Sequence, residues 1–355
     1  MPRFVASIFA LRLAAFAADS AAQMAGFGGR ASHGTLSVGI RIASAGEPGS
    51  AYSKFESSLN TAMRSGTRPL DWALAATGSP QPSRTIGGPT PRSDGDLFRA
   101  AQAAPNDALV QWLVANYADT STPEGAAHRA AAIEALTRIE PDNGAVWMQA
   151  LNQADKRGDA AGVDDALTHM AEARRFDDHY IDTAHAWIDV YDRFPPPANL
   201  PTDDGYDAAF VAAIAKGAAT AQPAYQTVIF ACKPPAADSA DFERAARCTK
   251  IGRAMLNRAT TLVARSIGFA VLRNLDAATE ADRNAKRNLD WYRAHPMQGT
   301  GYDSNPRDAL AFESDWRRMN DEVDIARAAL DRAGIPTEAP EGWAPPHSTP
   351  VAAAR

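Results

Sequence analysis

A weak internal repeat of about 36 residues is the feature that most constrains the fold of this chain. Pro105–Asp107 is followed by Trp112, and Pro141–Asn143 is followed by Trp147, so the prolines lie 36 positions apart and the tryptophans 35. A third unit begins 36 positions later at Asp177, without the proline. Periods of this length are typical of stacked helix pairs, because each pair buries its apolar face only against its neighbours.

Helical spacing of apolar residues dominates the chain from about residue 96 to residue 334. Such spacing places an apolar stripe on each helix, and the abundance of alanine, the strongest helix former, favours the same structure. We therefore predict an all-α fold of antiparallel helix pairs, in which a solenoid-like array continues into an irregular helical bundle. Two long stripes predict single helices over about 240–274 and over Pro306–Leu330.

The flanking segments divide the chain further. Residues 1–22 are predicted to be a signal or leader segment, and residues 23–52, rich in Gly, Ser and Ala, to be flexible. Residues 53–95 are predicted to form a short helical hairpin, which the capping-box pair Ser53 and Glu56 begins, and a Pro/Ser/Gly linker. Residues 96–334 form the predicted α-helical domain, and residues 335–355 a disordered tail.

The N-terminal segment and the two cysteines bear on the compartment. Phe4–Leu11 is apolar and follows Arg3, which resembles a secretory signal peptide, although Arg12 interrupts the run and leaves a disordered or amphipathic leader as the alternative. Cys232 and Cys248 lie sixteen positions apart without a CxxC pattern, which favours a disulfide in an oxidising compartment, or two buried thiols, over a zinc site. We predict a periplasmic or secreted protein, with a cytoplasmic one as the alternative.

Small and aromatic residues recur at the spacing of a helix–turn–helix repeat, namely Trp147, Gly158, Asp159, Ala166, Met170 and Ala173, with Pro141 before them. Over about residues 105–178 this pattern resembles a degenerate tetratricopeptide-like (TPR-like) helical repeat. The resemblance implies a superhelical array whose concave surface binds peptides or protein segments. The stretch from about 100 to 330 also resembles uncharacterised all-helical exported bacterial proteins with paired cysteines, which implies no activity.

Several function classes are disfavoured by the sequence. The chain has 36 basic and 42 acidic residues, a net charge of −6 and no long basic run, so we expect no nucleic-acid partner. No uncharged apolar run approaches 18 residues, so we expect no integral membrane segment. There is no phosphate-binding glycine loop, HExxH or nucleophile elbow, and we predict neither catalytic residues nor a cofactor or metal.

The densest polar cluster surrounds the start of the third unit and leaves two interpretations open. In the first, Asp177 or Asp178 caps a helix and His179 is a solvated neighbour. In the second, the chain is an enzyme whose site lies near His179, Asp182 and His185, and His179 and His185 then converge in a sealed pocket. The first is favoured, because three or four converging ligands are needed for a metal and one helix face supplies two.

A non-catalytic scaffold that binds a protein or peptide partner is the favoured function. Trp112, Trp147 and Trp187 recur at matching helix positions, where they are predicted to pack between helices and not to line a ligand groove. Besides the enzyme, the alternative is a structural, self-associating protein. Its predicted self-interface contains Trp291, Tyr292 and Trp316.

Overall fold

The computed structural model describes residues 51–77, 94–197, 208–220, 225–234, 241–295 and 306–345. Within these ranges every regular element is an α-helix, and two isolated backbone bridges are the only strand-like contacts. The helices described are α1 (Ala51–Ser65), α2 (Pro69–Thr77), α3 (Asp94–Ala103), α4 (Ala108–Tyr117), α5 (Pro123–Ile139), α6 (Gly144–Arg157), α7 (Ala160–Glu172), α8 (Tyr180–Arg193), α9 (Ala208–Thr220), α10 (Tyr225–Ala231), α11 (Phe242–Arg258), α12 (Leu262–Asn274), α13 (Glu280–Ala294), α14 (Pro306–Arg318) and α15 (Glu322–Arg332).

Consecutive helices pack as pairs through most of the chain. The most extensive contacts join α2 with α3, α4 with α5, α6 with α7, α8 with α9, and α11 with α12. Most of these pairs have short connections, which return the chain beside itself and make the two helices antiparallel. The prediction of an all-α fold built from helix pairs is therefore confirmed.

Several predicted segments lie outside the described residues: the leader 1–22, the flexible segment up to residue 50, the linker at 78–93 and the tail beyond residue 345. The first part of the predicted tail is described, and it packs against the domain. The Trp291 indole donates to the Pro336 carbonyl at 2.8 Å, and Trp343 meets the Trp291 ring edge-on with centroids 5.1 Å apart. Residues 335–345 thus extend the folded domain beyond the predicted boundary at 334.

The N-terminal hairpin of α1 and α2 is attached to the later helices by polar contacts. Asp71, which is buried, receives a bidentate hydrogen bond from Arg193 at 2.7 and 2.9 Å. The capping-box expectation for Glu56 is wrong, because α1 begins at Ala51 and places Glu56 within the helix. Glu56 is instead buried, and its carboxylate accepts the Tyr191 hydroxyl at 2.9 Å.

Two of the predicted long helices are each broken into a pair. The stripe over 240–274 divides at Ala259–Thr261 into α11 and α12, and the stripe over Pro306–Leu330 divides at Met319–Asp321 into α14 and α15. The cause is local capping, since Thr261 accepts the Ala264 amide at 3.3 Å and Asp321 accepts the Val323 amide at 2.7 Å. Both breaks create corners that carry polar side chains.

The apolar interior consists of a large cluster that runs through most of the helices and a smaller one. The smaller cluster lies among α11, α12, α13, α15 and the segment 335–345. Trp291 and Tyr292 belong to it, and Trp316 belongs to the larger cluster. All three side chains are buried within the chain, so the self-interface predicted through them is wrong.

The predicted packing role of the repeated tryptophans is confirmed for two of the three. Trp112 and Trp187 are wholly buried, whereas Trp147 is partly exposed and donates its indole N–H to the Pro141 carbonyl at 2.9 Å. The sulfur atoms of Cys232 and Cys248 lie at disulfide distance, with the Cα atoms 5.5 Å apart, and join α10 to α11. None of the helices described is both long and apolar enough to cross a bilayer.

Candidate functional site

Four helix corners meet along one side of the array and gather a dense group of titratable side chains. The corners lie between α5 and α6, between α7 and α8, between α11 and α12, and between α14 and α15. We call this region the polar edge and define it by residues 140–143, 174–179, 260–261 and 321–322. Two of its four corners exist only because the stripes over 240–274 and 306–330 break.

Backbone hydrogen bonds join the corners in a row. The Gly144 amide donates to the Arg175 carbonyl at 2.9 Å, and the Thr260 amide donates to the Phe176 carbonyl at 3.0 Å. The Glu322 amide then donates to the Thr260 carbonyl at 2.8 Å. The corner before α8 therefore lies between the α5–α6 corner and the α11–α12 corner, and hydrogen bonds to both of them fix its position.

The corners are starts of helices, which explains why carboxylates collect there. Helices α6, α8, α12 and α15 all begin at the polar edge, and a helix N-terminus presents unpaired N–H groups and a partial positive charge. Asn143 caps α6, and Asp177 and Asp178 accept the first amides of the α8 region at 3.0 and 3.3 Å. Acidic and amide side chains are thus favoured at this edge by local backbone chemistry.

His179 lies on the side of the α7–α8 corner that contacts the α5–α6 corner. Its side chain is buried, with Nδ1 2.9 Å from Asp182 Oδ2 and Nε2 3.1 Å from Glu140 Oε2. Its backbone is left-handed, with a φ of 54°, which is an uncommon conformation for a residue other than glycine. With this backbone, the imidazole lies between two carboxylates.

Each member of this network has further partners. The Glu140 carboxylate accepts a hydrogen bond from the side-chain amide of Asn143 at 2.8 Å and is paired with the Arg175 guanidinium at 3.0 Å. Burial alone would raise the pKa of Glu140, but hydrogen bonding and charge from His179 outweigh it and lower the pKa to about 2. Burial alone would lower the pKa of His179, but the hydrogen bonds with Asp182 and Glu140 raise it to about 10. The network therefore holds an imidazolium between carboxylates.

Asp177, His179 and Asp182 offer one ligand-type atom each within 4.8 Å of one another. Two observations favour an ion-pair network over metal ligation. Both ring nitrogens of His179 already have carboxylate partners, and Arg175 supplies a guanidinium 3.5 Å from Asp177. We assign the three residues to the ion-pair network of His179.

Asp178 belongs to the same corner as His179 but contacts the α11–α12 corner, and its environment is different. It is buried, and its carboxylate accepts the Tyr225 hydroxyl, the Thr261 hydroxyl at 2.8 Å and the Tyr180 amide at 3.3 Å. All three donors are uncharged. Burial raises the pKa of Asp178 to about 6, although the hydrogen bonds from Tyr225 and Thr261 oppose the rise.

Glu322, at the start of α15, is half-buried against the α11–α12 corner, which Asp178 also contacts through Thr261. Its carboxylate accepts the Leu262 amide at 2.7 Å. Burial raises the pKa of Glu322 to about 7, and the negative charge of Asp178 adds to the rise. The positive ends of α8 and α12 favour the ionised forms of both carboxyls, but the loss of water outweighs them, since both pKa values are raised.

The structure meets neither interpretation of the sequence cluster in full. The solvated position expected for His179 is wrong, because the ring is buried among carboxylates. The convergence of His179 and His185 in a sealed pocket is also not found, since the two side chains bond to separate groups. His185 is hydrogen-bonded through Nε2 to the Trp316 carbonyl, and Asp182 alone of the other two predicted residues contacts His179.

The residues of the polar edge that the sequence analysis missed include Glu140, Thr261 and Glu322. Their signals are helix boundaries and not catalytic motifs. Thr261 is a capping residue inside an apolar stripe, and Glu322 follows the capping Asp321. Glu140 follows the last residue of α5 and precedes the repeat proline. Nothing in sequence spacing predicts that these corners meet.

An open depression lies on the outer side of the α5–α6 corner. Its volume is about 540 Å³, and it is lined by Pro141, Asp142, His169, Glu172 and Arg174. The His169 ring stacks on the Trp147 indole beside it, with centroids 3.8 Å apart and an interplanar angle of 9°. Three exposed charged side chains thus surround a rigid aromatic pair.

Comparison with known proteins adds no activity to this geometry, since the chain matched no family model, no curated protein and no solved structure.

Proposed function

We propose that this protein is a non-catalytic helical scaffold that binds a peptide segment of a partner protein. The observation that carries the proposal is the open depression beside the stacked Trp147 and His169 rings. Rigid aromatic surfaces with charged residues around them are typical of peptide-binding surfaces, because they supply contact area at a low cost in side-chain entropy. The stacked helix pairs support the same proposal, since such arrays provide rigid extended surfaces.

The chemistry-bearing residues of the polar edge support a binding function over catalysis. His179, Asp182 and Glu140 pair with one another, and Asp178 is enclosed by Tyr225 and Thr261. A general base must reach the proton that it abstracts from a substrate, and His179, Glu140 and Asp178 are engaged inside the fold, while the more exposed Asp182 is paired with His179. The depression that is open to a partner lies on the outer side of the corner.

The proposed partner segment is one that carries a basic side chain. Asp142 and Glu172 are exposed on the lining of the depression, where Arg174 is the one opposing cation among the five lining residues and the neighbouring Arg175 guanidinium lies 3.6 Å from Asp142. Exposed charges of this kind set partner choice and association rate more than affinity. The aromatic pair is then the main source of contact area.

The TPR-like character of the array and an exported location belong to this proposal. The 36-residue spacing of Pro105 and Pro141 supports the former. The cysteine pair at disulfide distance supports an oxidising compartment, where such bonds persist. Intact mass of protein from its native host, after thiol alkylation without and with reductant, tests the compartment; two alkylated thiols without reductant would contradict it.

Selection of a random peptide library on the folded protein tests the binding function. We expect peptides with a lysine or arginine and with Kd values below about 100 µM, the range of weak but specific peptide recognition. The double variant D142K/E172K should weaken them at least about tenfold, since it reverses both charges. The matched control E134K/D155K changes two exposed acids outside the lining and should leave the Kd unchanged.

Two results would count against this function. One is a selection that yields no peptide below that Kd. The other is a set of binders whose affinities are the same for D142K/E172K and for E134K/D155K, which would place the binding surface elsewhere.

A further inference from the structure

Two carboxyl groups on the inner side of the polar edge connect its corners without a salt bridge between them. Asp178 belongs to the corner before α8, and Glu322 begins α15. Asp178 accepts hydrogen bonds from Tyr225, Thr261 and the Tyr180 amide, and Glu322 accepts one from the Leu262 amide. Every one of these donors is neutral. A carboxylate removed from water needs a charged partner or a proton, because neutral hydrogen bonds replace only part of its hydration.

The charged groups around the two carboxyls do not provide each carboxyl with a cationic partner. The titratable side chains that act on them, from each element packed there, are Asp177 and Tyr180 at the start of α8, Tyr225 on α10, Arg293 on α13 and Asp321 before α15. Asp177 and Asp321 have their own guanidinium partners in Arg175 and Arg265. Arg293 is thus the single cation of this group that acts on Glu322.

Ionisation of both carboxyls places two like charges in this interior. The loss of water favours retention of a proton on both groups, and a neighbouring negative charge adds to it, that of Asp177 at Asp178 and that of Asp178 at Glu322. The folded pKa values of Asp178 and Glu322 are therefore raised to about 6 and about 7. A raised carboxyl pKa means that the folded state binds the proton more tightly than the unfolded state. The associated stability is fully present below the unfolded pKa values of about 4 and is lost as the pH rises through 6 to 7.

The loss falls on the contacts of α15. The Glu322 amide donates to the Thr260 carbonyl, and the Glu322 carboxyl accepts the Leu262 amide, so the same residue attaches the start of α15 to the α11–α12 corner twice. Asp178 is attached to that corner through Thr261. Ionisation strengthens each of these hydrogen bonds, but an ionised carboxyl regains water only when the contacts around it open, and the loss of water is the larger effect. Charge on the two carboxyls therefore favours separation of α14 and α15 from the rest of the array.

We propose that Asp178 and Glu322 form a proton-dependent latch, which holds α14 and α15 on the array while it is protonated and loosens them when both carboxyls ionise. The latch is a regulatory property beyond the proposed binding function. Its test reads the structure of the chain and not peptide affinity, so either proposal can fail without the other.

Hydrogen exchange measured by mass spectrometry on the full chain at pH 5.5 and pH 8 tests the latch. After correction for the intrinsic pH dependence of exchange, amides of α14 and α15 should exchange at least about tenfold faster at pH 8, since one pKa unit corresponds to a tenfold change. Amides of α2 and α3, which do not belong to the polar edge, should change little between the two pH values.

Variants that remove the charge of each carboxyl test whether these two groups cause the faster exchange at pH 8. E322Q and D178N resemble the protonated forms and should each reduce the acceleration at pH 8. The matched control D324N removes an exposed carboxyl from the same helix and should keep the wild-type acceleration. The proposal is overturned if wild-type α14 and α15 exchange equally at both pH values, or if E322Q and D178N retain the full acceleration. Should one variant fail to fold, the other variant and the wild-type comparison still decide the outcome.

Discussion

The Thr261 hydroxyl donates to Asp178 Oδ2 at 2.8 Å, and this hydrogen bond joins two corners that lie more than eighty residues apart in the chain. The same hydroxyl accepts the Ala264 amide at 3.3 Å and so caps α12. One side chain thus ends the apolar stripe of α11, begins α12 and attaches both to the start of α8. The polar edge depends on capping residues with a second partner across the array.

Replacing Thr261 by alanine removes both bonds. Loss of the cap costs about 1 kcal/mol, and the buried Asp178 loses one of its donors at a further cost of about 1–2 kcal/mol. We expect the free energy of unfolding of T261A, measured by urea denaturation, to fall by the sum, about 2–3 kcal/mol. T137A is the matched control, because the Thr137 hydroxyl only donates to the Glu134 carbonyl on its own helix. Equal stability losses in the two variants would contradict this role of Thr261.

Close helix packing makes Gly268 intolerant of a side chain. A Cβ there would lie 2.5 Å from the Leu256 amide nitrogen and 2.6 Å from the Gly252 carbonyl oxygen, so α12 would have to move away from α11. Alanine normally stabilises a helix interior by up to about 1 kcal/mol over glycine, but overpacking costs about 1–3 kcal/mol and should prevail. G268A is therefore expected to unfold at lower urea concentration than the wild type.

Gly95 on α3 provides the opposite case. A Cβ at Gly95 would meet nothing within 4 Å, so G95A should be neutral or stabilising by up to about 1 kcal/mol. The two substitutions insert the same methyl group into helices, and urea denaturation of both isolates the effect of packing. A G268A protein as stable as G95A would show that α11 and α12 do not lie as close as the structure places them.

The sequence predicts the helices better than their boundaries, for a physical reason. Apolar stripes indicate which face of a helix is buried, and the stripes over 240–274 and 306–330 continue through Ala259–Thr261 and Met319–Asp321. Since a residue at a corner can be buried as well, an apolar stripe does not show where one helix ends and the next begins. The capping residues Thr261 and Asp321 do mark these boundaries, but threonine and aspartate also occur within helices.

The candidate site was predicted in part. Asp177–His179 and Asp182 were singled out by their density in the sequence, and the structure brings them together. Glu140 contacts His179 from 39 residues away, and Glu322 contacts Leu262 from 60 residues away, through corners that only tertiary packing can align. A helix start was the correct local interpretation, but burial of His179 depends on the α5–α6 corner, which sequence spacing does not reveal.

His179 should remain an imidazolium well above neutral pH. Its pKa is raised from 6.5 to about 10, so the stability that it contributes is fully present below pH 6.5 and is lost as the pH rises towards 10. Glu140 has the opposite sign, because its pKa is lowered from 4.5 to about 2 and its contribution is present above pH 4.5 and lost as the pH falls towards 2. Both contributions are present at pH 6.

Nitrogen-15 NMR of the histidine rings measures the first of these effects. We expect the His179 ring to show the doubly protonated pattern at pH 8, and E140Q to lower the pH at which this pattern disappears, since one carboxylate partner is lost. E134Q, which neutralises an exposed glutamate on the same stretch of chain, should leave the His179 signals unchanged. A neutral His179 ring at pH 8 in the wild type would refute the ion-pair network.

The cysteine pair should stabilise the junction of α10 and α11. Cys232 and Cys248 are both buried and close a loop of sixteen residues, so reduction should lower the free energy of unfolding by about 3 kcal/mol on the chain-entropy account. Urea denaturation of the wild type with and without reductant measures the loss.

The double variant C232A/C248A is the control, since reductant should not shift its unfolding midpoint. Its stability should match that of the reduced wild type to within the cost of two small cavities. If reductant shifts the midpoints of the wild type and of the variant equally, the stabilisation does not come from a bond between these two sulfurs.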